Sequence, residues 1–331
     1  MEATNQSRTA RRNFGRLGWS MLVVLGVLLA VTFLLMLCVA AAALDPSIDI
    51  SILMTYDLPY WVLCRLPLYA FAIPAAMLVL KGIPKNKPES RPFTLGRVLY
   101  FALITMALET VLSIVVNTIM NLLVKTPTQT APEQVTFWYY LDIVLLSPVL
   151  EELLFRKMLL DRFRRYGEKL AILVSAVVFA ISHLDLHLTV INLVMGGMLA
   201  YVYLRSGRVR YCIFIHAISN FSAAGMMQLL MNRLSAKAFM AMQMEDPSML
   251  TPEVLAELAP LAVYSLIYYA LMVVGLVLLV RGRKKAVFEP AEEPLTQKQA
   301  VQALFGSVGM PLFIGVALLM ILNSFFAMLI Q

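Results

Sequence analysis

The chain has 331 residues, 60% of them hydrophobic and only 14% charged, with a mean hydropathy of +0.79. That composition excludes an ordinary soluble domain. The net charge of +7 does not indicate nucleic acid, because the basic residues sit beside the ends of apolar runs, where they set membrane topology.

Apolar stretches of roughly 20 residues, long enough to cross a ~30 Å hydrocarbon core, occur at 21–44, 58–80, 97–124, 137–160, 169–184, 188–205, 211–231, 259–280 and 308–330. They predict an all-α, polytopic transmembrane bundle of about nine helices (about eight to ten, since two stretches are short). The first run, Met21–Leu44, ends in CVAAAAL like a secretory leader, but it exceeds the ~7–15-residue apolar core of one, so a retained helix is expected.

Basic clusters fall at Arg8/Arg11/Arg12/Arg16, Lys81/Lys85/Lys87/Arg91, Arg162/Arg164/Arg165/Lys169, Arg205/Arg208/Arg210 and Arg281/Arg283/Lys284/Lys285. With every span crossing, all five share the cytoplasmic face of a cell membrane, placing the N-terminus inside and the C-terminus outside. The expected organisation is a basic cytoplasmic tail over 1–20, helices within 21–135, a core over 136–232, an outer loop over 233–258 and C-terminal helices within 259–331. The linker 281–306 reads as a solvated tether to a peripheral last helix, and the methionines between Met226 and Met249 as packing or interfacial residues. Cys38, Cys64 and Cys212 have no paired spacing, so neither a disulfide frame nor a thiolate metal site is expected.

A charge at the centre of a spanning helix costs about 2.5–3.5 kcal/mol on insertion scales and usually faces a pathway or an active site. The candidates are Arg65, Glu109, Asp142, Glu151, Glu152, Arg156, His183, Asp185, His187 and His216, with Asn192 and Asn220 as uncharged companions. Gly167 reads as a hairpin tip, with Glu151 sixteen residues before it and His183 sixteen after, so the two are level and able to face each other. A second tip near Gly207 puts Asn220 ~20 Å from its turn, against ~24 Å for the first pair, so one layer holds all of them.

Spacing then selects faces. His216 and Asn220 are four apart, as are Phe179 and His183, while Glu152 precedes Arg156 by four in the favourable order for a helical ion pair. Glu151 is left without a local cation, and Pro148 cannot donate to the carbonyl of Val144. A carboxylate and an imidazole on facing helices can hold one water, and a second imidazole with a carboxamide can stabilise an oxyanion, which is the chemistry of amide hydrolysis. Interhelical packing polarity and proton-coupled transport account for the same spacing.

The runs EELLFR, FAISH and HAISN resemble the motifs EExxxR, FxxxH and HxxxN of the CAAX protease and bacteriocin-processing (CPBP) intramembrane protease family, which includes the type 2 CAAX prenyl endopeptidase. MGGMLAYVYLRSGRVRYCIFIHAISN is also similar to the family's run before the last histidine, with Ser206 in place of threonine, and the resemblance covers about residues 137–225. It implies a glutamic-type endopeptidase that needs no metal and acts on a membrane-associated or lipidated protein or peptide within the lipid bilayer. Glu151 then activates water with His183, His216 and Asn220 form the oxyanion pocket, and Glu152 with Arg156, together with Phe179, are supporting residues. Two other readings stay open, a zinc protease with His183, His187 and Glu151 as ligands and a non-hydrolytic immunity or scaffold protein of the same family. Arg65 is expected to pair with Glu109 or Asp142, or to sit near a substrate carboxylate.

Overall fold

The computed structural model describes residues 2–45, 47–50, 58–123, 135–244 and 247–330, and among them all regular structure is helical. The helices are α1 (Glu2–Leu44), α2 (Leu58–Lys81), α3 (Leu95–Leu123), α4 (137–166), α5 (Glu168–Ile181), α6 (Leu186–Ser206), α7 (Val209–Met231), α8 (Ala236–Met244), α9 (Pro252–Gly282), α10 (Gln297–Phe305) and α11 (Gly309–Ile330). Seven of them, α1, α2, α3, α6, α7, α9 and α11, are long and apolar enough to span a membrane. The other two predicted spans are α4 and α5. Charged residues interrupt α4, and the 14 residues of α5 reach only about 21 Å, so α5 is a short, mostly buried rod inside the bundle. The remaining helices, α8 and α10, lie in the two polar segments.

Both hairpin tips fall where the glycines put them. Gly167 (φ 122°) separates α4 from α5, and Gly207 (φ 64°) closes α6 in the left-handed conformation. At Gly207 a side chain would also strike the backbone of Glu89 and Ser90, because the 82–94 loop crosses this turn and Arg91 N–H donates to the Ser206 carbonyl at 2.9 Å.

One expectation about the ends of the chain is corrected. Residues 2–20 are not a tail but the first turns of α1, with Ala10, Asn13, Phe14 and Leu17 buried. These residues form one stripe at three- and four-residue spacing, while Arg8, Arg11 and Arg12 occupy the exposed face. Asn13 Nδ2 donates to the Tyr166 hydroxyl at 2.8 Å, tying α1 to the α4–α5 tip. The last helix, α11, is peripheral as expected, with few buried residues. It packs along α1 through Phe313, Ala317 and Ile321, and the helices approach so closely at Gly18 and Gly309 that a Cβ at Gly18 would collide with the Gly309 backbone.

The linker before α11 is a clamped strap rather than a free tether. Glu289 contacts Arg164 (2.9 Å), Arg91 (3.4 Å) and Arg205 (3.7 Å), its own N–H donates to Glu168 at 2.8 Å, and Glu293 pairs with Arg165 at 3.1 Å. Opposite charges that are isolated in sequence thus meet across one basic face of the molecule.

Candidate active site

The site is assembled on α4, where the α-helical stretch Ser147–Glu152 lies between two π-helical ones, Leu141–Leu146 and Leu153–Leu160. Ser147 N–H donates to the Asp142 carbonyl in the wider turn, and Pro148, next in line, has no N–H to give the Ile143 carbonyl. Asn220 Nδ2 fills that place at 2.8 Å. Pro148 therefore acts through Ile143 as well as through the Val144 carbonyl that α-helical spacing indicates. The carboxamide of α7 is thereby fixed against α4 with its second N–H left to donate.

Glu152 is fully buried and has two partners. Its Oε2 is 3.0 Å from Arg156 Nε, and its Oε1 is 2.9 Å from His216 Nδ1. A carboxylate oxygen accepts, so Nδ1 carries a hydrogen. The other ring nitrogen, Nε2, lies 4.0 Å from Glu151 Oε2, a gap one water molecule can bridge. Ser147 donates its hydroxyl to Glu151 Oε1, whereas Glu151 Oε2 is buried without a hydrogen-bond partner among the described residues.

Phe179 on α5 is the shared wall. Its ring lies 4.4 Å from the Arg156 guanidinium, 4.9 Å from the His183 ring and 5.9 Å from the His216 ring. The guanidinium over the ring face is a cation–π contact, which helps hold a charge that has been removed from water. His183 lies just beyond α5, and its Nδ1 bonds the Phe179 carbonyl at 2.9 Å, leaving Nε2 without a hydrogen-bond partner among the described residues. The direct carboxylate–imidazole contacts are thus made by His216, and His183 joins the group through Phe179.

The remaining candidates separate. His183 and His187 do not share a helix, since Leu184 (φ 57°) breaks the chain between them and Asp185 caps α6 at Leu188 N–H. Among the described residues no three His, Cys, Asp or Glu side chains are grouped as metal ligands. His187 instead lines a cavity of about 420 Å³ with Glu109, Asn192, Ser219, Asn220 and Tyr268, where Ser219 donates to Glu109. Of the two acids expected for Arg65, the partner is Asp142, at 3.1 Å, and Tyr69 also donates to Asp142. Sequence reasoning missed Ser147, Ser219 and Tyr69. Only Ser147 carried a signal, four residues before Glu151.

A multi-pass helical membrane protein with carboxylates, imidazoles and a carboxamide gathered inside its bundle is the class that this fold and site define. Residues 133–222 match the family model of Rce1-like type II CAAX prenyl endopeptidases, which supports the resemblance to the CPBP/CAAX protease family carried by the three motifs. The candidate membrane peptidase YdiL of Bacillus subtilis (strain 168) is similar, at 34% identity over 77 residues, which is 23% of this chain and 32% of that protein. The chain thus spans about a third of the length of this curated relative. No solved structure matches the chain.

Proposed function

We propose that the protein is an intramembrane endopeptidase that hydrolyses a peptide bond of a membrane-associated or lipidated protein, with Glu151 as the base. The observation that carries this reading is the Glu151 Oε2 atom, buried, without a hydrogen-bond partner among the described residues and 4.0 Å from Nε2 of His216. Water held there attacks the scissile carbonyl carbon while its proton passes to Glu151. The oxygen that becomes negative accepts from the free N–H of Asn220 and from a protonated imidazole. His216, with Glu152 behind it, is suited to carry that proton. His183, through its Nε2, is the second group on the water. As the C–N bond breaks, Glu151 returns the proton to the leaving amine.

The basic face is taken as cytoplasmic. Because α11 begins beside the first turns of α1 and runs alongside it, the C-terminus falls on the other side. The test compares the N-termini of membrane proteins between cells carrying the wild type and cells carrying Glu151→Gln. New termini should depend on the carboxylate and persist in the presence of 1,10-phenanthroline. Identical terminus profiles in the two strains would reject the peptidase reading, and loss with the chelator followed by recovery with zinc would reject the metal-free mechanism.

A further inference from the structure

A second cavity, of about 530 Å³, opens where α3 begins and α9 ends on the basic face. Arg97, Arg281 and Arg283 line its mouth, and Phe101, Ile104 and Leu278 are among the residues of its wall and floor. Ile104 is two turns beyond Arg97, about 10 Å deeper along α3. The cavity is therefore cationic at the level of the membrane surface and apolar beneath.

The charge balance here differs from the rest of that face. Arg91, Arg164, Arg165 and Arg205 are each paired with glutamates, mostly those of the strap. Arg97, Arg281 and Arg283 have no carboxylate within ion-pair distance among the described residues. The glutamates of the strap do not line the cavity, for the last strap residue in its wall is Ala286. The Arg97 guanidinium is positioned over the Phe93 ring at 4.1 Å, which fixes the charge without neutralising it.

We propose that this cavity binds the phosphate headgroup of an anionic phospholipid, with the first methylenes of an acyl chain on the apolar floor. Three guanidiniums lining one cavity supply charge-assisted donors to phosphate oxygens, and basic recesses between membrane helices are suited to such headgroups. A small free phosphate would satisfy the mouth but leave the floor uncovered, so the lipid is the better fit.

The experiment is native mass spectrometry of the full chain, released from micelles containing equal amounts of phosphatidylglycerol and phosphatidylcholine. The wild type should retain phosphatidylglycerol by about fivefold or more over phosphatidylcholine. The triple variant Arg97→Gln/Arg281→Gln/Arg283→Gln should lose that preference, and Arg8→Gln/Lys81→Gln/Lys85→Gln, which removes equal charge from the same face, should keep it. An equal preference in the wild type and the first variant, or an equal loss in both variants, overturns the site. Displacement of the lipid by inorganic phosphate, with phosphate alone bound equally well, overturns the lipid as its occupant in favour of a small-anion site.

Discussion

Glu151 and Glu152 are neighbours in sequence with opposite circumstances. Glu152 lies between Arg156 and His216 and has no exposed surface, whereas one oxygen of Glu151 has no hydrogen-bond partner among the described residues. Removing one member of a buried ion pair strands the other, so Arg156→Ala should lower unfolding free energy by about 3–5 kcal/mol, while Arg156→Met combined with Glu152→Leu should recover much of it. Unfolding in mixed micelles measures both. Glu151→Gln should stay within about 1 kcal/mol of wild type in the same assay, since the glutamine oxygen can still accept from Ser147. Contacts within one helix, such as Glu152–Arg156, were legible because backbone geometry fixes which residues share a face. Contacts between helices, such as Glu152–His216, Glu109–Ser219 and Tyr69–Asp142, depend on rotation about each helix axis, which spacing does not set.

At the level of elements, α4 is unusual for alternating α and π turns through the segment that carries both glutamates. Wide turns of this kind leave carbonyls free to bond a neighbour, and they recur at functional sites. Pro148→Ala restores an N–H beside the Ile143 carbonyl and so competes with Asn220 for it. The variant should melt no lower than wild type yet cleave on the order of tenfold more slowly, because the carboxamide loses its anchor. Thermal melting paired with cleavage of a substrate found by terminus profiling checks this. The hairpin tips were readable from Gly167 and Gly207, but the π turns were not, since their composition matches that of ordinary apolar helix. The buried stripe of α1 was present in the sequence as Ala10, Phe14, Leu17 and Met21, but the arginines between them gave the appearance of a tail.

Across the whole molecule, most of the ion pairs lie at the basic face, where the strap bridges both hairpin tips and the 82–94 loop. Glu289 is the common partner, so Glu289→Gln should release the segment around 286–296. Limited proteolysis from that side should cut the variant there several times faster than wild type. High salt should produce the same change in the wild type, because the exposed pairs, Arg91–Glu289 foremost, are screened at a Debye length of about 3 Å in 1 M salt. Resistance of the variant to cleavage at the strap would show that apolar contacts, such as Phe288 against Tyr201, hold it instead. Individual charges were visible in the sequence, but their partners on the strap lie about eighty to two hundred residues away, beyond the reach of any local pattern.

The meeting of Gly18 with Gly309 has a bearing on how the protein is made. Because α1 precedes α11 by most of the chain described, it leaves the ribosome with one flank shaped for a partner that is made much later. Until that partner is inserted, lipid or a chaperone must cover the flank, so closure of this seam waits for α11.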